Sequence, residues 1–520
     1  MFDLLIRNGT IIDGSGARRY QADVGIQGDT IAQIGDLREA PAHRTIDAAG
    51  KVVAPGFVDV HNHSDAWLLK TPHLVSKTAQ GFTTEVIMAD GISYAPVNAH
   101  TVRPWIYYLR ALNALRQEEY TGWESLADYM ATLAGRNVQN SIPHIPYANV
   151  RALVCGFGPA APDDFQRRAI VAEIERGMEA GAVGLSTGLD YIVQCFASTD
   201  ELVEACRPLA ASQGLYVTHM RYKVGILRAL EEAVEIGKRA GVPVHISHLK
   251  GGSPELTQAI LDYIDRVAVN EVDFSFDVYP YMPGSTMLNY LLPYEVWVEG
   301  PLGVLPRLAD PQVRAHFAQG LAFLDLEETY IAWVASKENS HHQGKSVAQY
   351  VDEVGRSPAD ALADLLIEEN LAVLLVMHQG EDALIDPFLA HPCYMMGSDG
   401  IYHEDGGIHP RQYGSAPRLL GPCVREKGLF SLEEAIHKLS GRPAARFGLT
   451  RRGQVQEGWF ADITIFDPEI IQDRATYGDP HQLPVGMEHV IVNGVPVIQH
   501  GAPVEPLPDP LPGRTLRFRG

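Results

Sequence analysis

The chain has 520 residues, 42 Lys and Arg against 64 Asp and Glu, and a formal charge of −22. That length exceeds one ordinary core and suits a large α/β unit with a smaller companion, while the acidic balance and the lack of any basic run argue against nucleic acid or anionic membrane as partners. Its five cysteines (Cys155, Cys195, Cys206, Cys393 and Cys423) have no CxxC spacing, which excludes a Cys-rich zinc site and a disulfide framework and fits the cytosol.

Met1-Phe-Asp-Leu-Leu-Ile-Arg7 passes straight into apolar/polar alternation, the wrong order for a signal peptide, and no apolar run reaches the roughly 18 residues of a membrane span. Up to about residue 52 the alternation is broken at Asn8-Gly9, Asp13-Gly-Ser-Gly16 and Gly28-Asp29, which predicts a meander of short antiparallel strands.

Next comes Val53-Ala-Pro-Gly-Phe-Val-Asp-Val-His61-Asn-His63, a buried strand ending in two histidines spaced i, i+2, so both imidazoles face one point. Apolar runs then alternate with helical stretches. The runs are Glu85–Ala89, Val150–Cys155, Val183–Ser186, Leu215–Thr218, Val242–Ser247 and Val272–Asp277; the helices include 163–180, 199–213 and 226–240. Continuous hydrophobicity fits strands buried on both faces, and the alternation predicts a parallel (β/α)8 barrel.

From about 285 to 345 the rhythm is lost in an insertion. It resumes at Ala372–Met377 and Cys393–Met396, giving nine candidate strands for eight barrel positions. After a helix near 432–440 the alternation returns from Gly453. The expected layout is a small β-sandwich built from 1–54 and 450–520, around a barrel at 55–449.

The last residues of the inferred strands are His61 and His63, Asp90, His219, His248 and Asp399. In a (β/α)8 barrel such positions converge on one face, and this set suits one or two divalent metals, zinc first. Asp399, in Met-Gly-Ser-Asp-Gly, is the natural proton carrier beside metal-bound water.

Several motifs in order resemble the amidohydrolase superfamily and, within it, the D-aminoacylases, the N-acyl-D-amino-acid deacylases. They are Pro-Gly-Phe-Val-Asp-Val-His-Asn-His63, Gly184-Leu-Ser-Thr-Gly-Leu-Asp-Tyr191, Thr218-His-Met-Arg221, Ile246-Ser-His-Leu-Lys250, Asp277-Val-Tyr-Pro-Tyr281, Ser398-Asp-Gly400 and His409-Pro-Arg411. The resemblance implies that His219 and His248 hold a tightly bound zinc and that His61, His63 and Asp399 surround a second metal position. It also implies that Lys250, Tyr281 and Arg411 grip a substrate carboxylate and that Tyr191 polarises the scissile carbonyl.

Three positions depart from those relatives. Ala89-Asp90-Gly91 stands where they carry Asn-Cys-Gly with a zinc-binding cysteine, Cys155-Gly156 stands for Gly-His after the third strand, and Lys223 replaces the glutamate of Thr-His-x-Arg-x-Glu. A carboxylate at 90 can bridge two metals and admits Mn²⁺ or Co²⁺ besides Zn²⁺. The expected activity is metal-dependent hydrolysis of a linear amide, an N-acyl-D-amino acid or a dipeptide with a C-terminal D residue. The rivals are a cyclic-amide or carbamoyl amidohydrolase and a non-catalytic metabolite-binding barrel. The partner is a small molecule with a free carboxylate, and a homo-oligomer is compatible with everything above.

Overall fold

Both ends of the chain meet in one sheet. In the computed structural model, which describes residues 1–322 and 324–518, Phe2–Ile11 pairs antiparallel with Tyr20–Gln27, and that strand pairs with Thr30–Gly35. Ala42–Asp47 and Val52–Pro55 then pair with Phe2–Ile11 in parallel, so the first fifty residues are a mixed sheet and not the expected meander. The segment between Gly35 and Ala42 carries the chain past the hairpin to the other edge of the first strand, which reverses the sense of pairing.

From the other end, Ile463–Phe466 pairs antiparallel with Val52–Pro55 and continues through Met487–Val492, Val495–Gln499 and Ala502–Pro503. Leu4, Ile6, Val24 and Ile31 share one core cluster with Ile463, Ile465 and Ile491. Burial of these side chains against each other binds the termini together.

Two arcs of parallel strands lie between. One is Phe57–Asp59, Phe82–Ile87 and Asn140–Pro143; the other runs Ile145–Pro146, Gly184–Gly188, Leu215–His219, Val244–Ile246, Phe274–Val278 and Tyr394–Met396. Every residue of Phe82–Ile87, Leu215–His219 and Phe274–Val278 is buried, as continuous apolar runs require. Backbone bonds join the arcs at both ends: His144 N–H donates to Ile87 O at 3.0 Å, Val183 N–H to Pro143 O at 2.9 Å and Val60 N–H to Met396 O at 3.4 Å.

Helices Asp164–Glu179, Thr199–Ala210 and Ile226–Ala240 separate successive strands. Asp163 and Ser198 cap the first two by accepting from the amides of Gln166 and Glu201. Among the described residues no helix is long and apolar enough to cross a membrane.

Two expected strands are corrected. Val150–Cys155 lies in helix Tyr147–Cys155, where Arg151 is buried with its Nε 2.7 Å from Glu201. A short apolar run fits either period, and here Pro146 starts a helix. The third strand is instead Asn140–Pro143, too short and polar to stand out. Cys155-Gly156 therefore ends a helix, and His144 is the residue behind the third strand. The other correction concerns Val373–Met377, which pairs antiparallel with Gly284–Met287 and Thr329–Val334. It is the surplus ninth strand, and it carries the insertion well beyond residue 345.

Candidate metal centre

Five of the parallel strands deliver their chemistry at or just past their C-terminal ends. His61 and His63 follow Phe57–Asp59, Asp90 follows Phe82–Ile87, His219 ends Leu215–His219, His248 follows Val244–Ile246 and Asp399 follows Tyr394–Met396. The six meet in one cluster, buried except for the partly exposed His248. His61 Nε2 is 3.5 Å from Asp90 Oδ1 and 3.6 Å from Asp399 Oδ1, and His63 Nε2 is 3.2 Å from Asp399 Oδ1 and 3.7 Å from Asp90 Oδ2. On the other side His219 Nδ1 is 3.0 Å from His248 Nε2 and 3.9 Å from Asp90 Oδ2, and His248 Nε2 is 3.9 Å from Asp90 Oδ1.

Bonds of about 2.0–2.1 Å arranged tetrahedrally around zinc separate ligand atoms by roughly 3.3 Å, so these spacings fit metal donors. His61 Nε2 and Asp90 Oδ1 are buried with no hydrogen-bond partner among the described residues, a costly state that a cation between them would relieve. Burial disfavours charge on His61, yet Asp90, Asp277 and Asp399 outweigh it and lift its pKa to about 10. The carboxylates thus call for positive charge at this point. Asp90, His248 and Asp399 have φ of 57°, 40° and 48°, left-handed conformations that Asp and His tolerate better than most residues and that cluster at functional sites. Gly91 must be glycine, because a Cβ there would stand 2.3 Å from Gln194 Oε1 and 2.8 Å from Ser186 O.

Two supporting groups escaped the sequence reading. Asp277 Oδ2 is 3.0 Å from His245 Nε2 and 3.5 Å from His61 Nδ1, while its Oδ1 accepts the His248 amide at 3.0 Å. Burial raises its pKa, but His61 and His245 overcome this and hold it well below the carboxylate range. Its signal, an acid near the end of an apolar strand, was the one that marked Asp90. Lys77 is fully buried, with Nζ 2.6 Å from Asp59 Oδ2 and 2.5 Å from Ser398 Oγ, and so ties the first strand to the last.

Beside the cluster, Arg411 is fully buried with Nη1 2.8 Å from Asp399 Oδ2, and its Nη2 donates to Ser285 O at 3.1 Å. Lys250 Nζ donates to Tyr279 OH at 2.6 Å, and the Arg411 guanidinium lies 4.4 Å over the Tyr279 ring. Burial, helped by Arg411, lowers the Lys250 pKa to about 7. Tyr281 is not brought into this group: its hydroxyl donates to Asp473 Oδ2 at 3.0 Å under Arg418. A tight turn, closed by Tyr281 N–H on Tyr279 O at 2.9 Å, turns the second tyrosine away and leaves Tyr279 beside Lys250. Tyr191 is buried, with its ring 4.8 Å from that of His219.

The sequence pattern of the amidohydrolase family matches residues 44–274 and 390–498, which takes in all six clustered residues. The chain belongs to the amidohydrolase family. The gap in the match coincides with the insertion. This amidohydrolase is 38% identical to the D-aminoacylase of Alcaligenes xylosoxydans xylosoxydans over 96% of its own length and 95% of that protein's. It superposes with a TM-score of 0.83, at 31% identity and over 99% of both chains, on the N-acyl-D-glutamate deacylase of Bordetella bronchiseptica, solved with zinc and a phosphonate mimic of the tetrahedral intermediate. A D-aminoacylase structure described as having a binuclear metal centre superposes equally well, with a TM-score of 0.83, 34% identity and 99% and 100% coverage. The resemblance to D-aminoacylases drawn from the motifs is borne out.

Proposed function

We propose that this amidohydrolase deacylates N-acyl-D-amino acids, or cleaves dipeptides with a C-terminal D residue, using bound zinc. The observation that carries the reading is the contact between two systems: Arg411, partner to a substrate carboxylate, touches Asp399 of the metal cluster at 2.8 Å. We read the two arcs as one eight-position barrel, with Asn140–Pro143 and Ile145–Pro146 as two halves of one strand interrupted at His144, supported by the three backbone bonds that join the arcs. On this reading residues 55–449 form the catalytic unit with the insertion, and 1–54 with 450–520 form the small β unit.

His61, His63 and Asp399 would hold one ion and His219 with His248 the other, with Asp90 between them, for one or two zinc ions that Mn²⁺ or Co²⁺ could replace. Zinc supplies Lewis acidity and an acidified water. The chain does the rest. Arg411 and Lys250, with Tyr279 beside them, hold the substrate carboxylate through charge-assisted hydrogen bonds. Tyr191 donates its hydroxyl to the carbonyl oxygen, where negative charge develops. Asp399 takes a proton from the attacking water and passes it to the amine nitrogen as the C–N bond breaks, which balances the hydrolysis.

A cyclic amide without a free carboxylate would leave Lys250, whose amino group meets Tyr279 OH and the carbonyls of Met282 and Pro283, without an anionic partner, and that favours the linear acid over the ring-opening alternative. The complete set of donors likewise favours an enzyme over a binding protein. Zinc-loaded protein should be screened against N-acetyl and N-formyl D- and L-amino acids, L-Xaa-D-Xaa dipeptides and hydantoins. Turnover of the acyl D-amino acids or the dipeptides is expected; ring opening alone, or no hydrolysis with zinc bound, would overturn the reading.

A further inference from the structure

Besides Asp277, a second buried carboxylate outside the six clustered residues faces the centre, and it is held from behind by the insertion. The Asp190 side chain is fully buried, and its Oδ2 lies 3.6 Å from His219 Nε2, the ring nitrogen opposite the one that faces Asp90 and His248. Three donors reach it: Tyr294 OH to Oδ1 at 2.9 Å, Tyr290 OH to Oδ2 at 3.2 Å and the Lys223 amide to Oδ2 at 3.3 Å. Both tyrosines belong to the insertion, in the turns Leu288–Leu291 and Tyr294–Trp297.

Lys223 then closes over them. Its Nζ donates to Tyr290 O at 3.0 Å and lies 4.5 Å and 4.6 Å from the centres of the Tyr290 and Tyr294 rings. A cation over two aromatic faces is attractive. The Tyr290 ring also packs 5.3 Å from Tyr191 and 6.1 Å from His219.

A metal-binding imidazole presents one bare nitrogen and must place its proton on the other. A carboxylate accepting that proton fixes the tautomer, aims the ring and raises its basicity. Both Asp190 oxygens are tied by the tyrosines, and the buried His219 Nε2, without a hydrogen-bond partner among the described residues, has Asp190 Oδ2 at 3.6 Å as the carboxylate placed to take its proton.

We propose that Asp190, held by Tyr290 and Tyr294 and latched by Lys223, is the positioning residue that sets His219 for the metal, so that the insertion is a working part of the metal centre. The proposal rests on His219 being a ligand, as in the proposed function. Binding is reciprocal: if the insertion prepares the metal position, metal must in turn steady the insertion.

Zinc affinity, measured by chelator competition, should therefore fall roughly 10- to 100-fold in Asp190→Asn and in the milder Tyr290→Phe/Tyr294→Phe double variant, with circular dichroism unchanged. Zinc should also slow amide exchange across residues 288–297 in the wild type, and that slowing should be lost in Asp190→Asn. Wild-type zinc affinity in the folded double variant, or exchange at 288–297 that ignores zinc, would overturn the proposal while leaving the site reading intact. A wild-type chain that takes up no zinc would instead overturn the reading of the site, and this proposal with it.

Discussion

Replacing Asp90 tests the two-sided centre most directly. Its two oxygens stand 3.5 Å and 3.9 Å from His61 and His248 and 3.7 Å and 3.9 Å from His63 and His219, so one side chain serves both halves of the cluster. Asp90→Asn keeps shape and removes the charge; Asp90→Ala also leaves a Cβ residue at φ 57°, which adds about 1 kcal/mol of backbone strain that Asn largely avoids. Losing a mere supporting group costs roughly 10- to 100-fold in metal affinity, so Asp90→Asn should lose at least ~100-fold, from both positions at once.

Metal per chain is read by mass spectrometry after dialysis, and affinity by chelator competition, with thermal melting to separate the strain of the alanine variant. Asp90→Cys should retain one tightly held zinc, because a thiolate satisfies a single tetrahedral ion better than it spans two. An Asp90→Asn protein with the wild-type metal content and rate would refute the bridging role.

Asp399→Asn should keep the fold, since Asn accepts φ 48°, yet lose roughly 100- to 10,000-fold in turnover because an amide cannot accept a proton at neutral pH; retention of a tenth of the rate counts against the assignment. Arg411→Met should weaken binding of carboxylate substrates by roughly 2–5 kcal/mol, and an equal loss on the carboxamide analogue would assign it another part. Tyr279→Phe should raise KM while Tyr281→Phe lowers melting temperature with little change in KM, the opposite of what the motif alone implies; a KM effect at Tyr281 only would reverse this.

Lys438 is 1% exposed, and burial lowers its pKa from 10.5 to about 8. The unfolded chain then binds the extra proton between pH 8 and 10.5, so stability rises with pH in that window. Relative to Lys438→Met, the wild type should gain about 2 kcal/mol from pH 7.5 to 10 in denaturant titrations, and a flat difference would contradict the burial account.

The sequence by itself determined the residue types at the strand ends and the pairing of the two termini. Strands buried on both faces read as unbroken apolar runs, and an acid or histidine closing such a run stands out against it, as His61, Asp90, His219 and Asp399 do. What it could not carry were choices settled by contacts remote in sequence. Val150–Cys155 became a helix and Asn140–Pro143 the strand because neighbouring strands supplied partners for the polar backbone of the latter. Val373–Met377 has the composition of a buried strand, and only its pairing with Gly284–Met287 and Thr329–Val334 removed it from the parallel set. Tyr279 and Tyr281 are identical in type and two residues apart, so one backbone turn decided which stands with Lys250 and Arg411. Asp190 meets Tyr290 and Tyr294 from across about a hundred residues and His219 from about thirty, and no local pattern records a meeting that exists only once the insertion has packed.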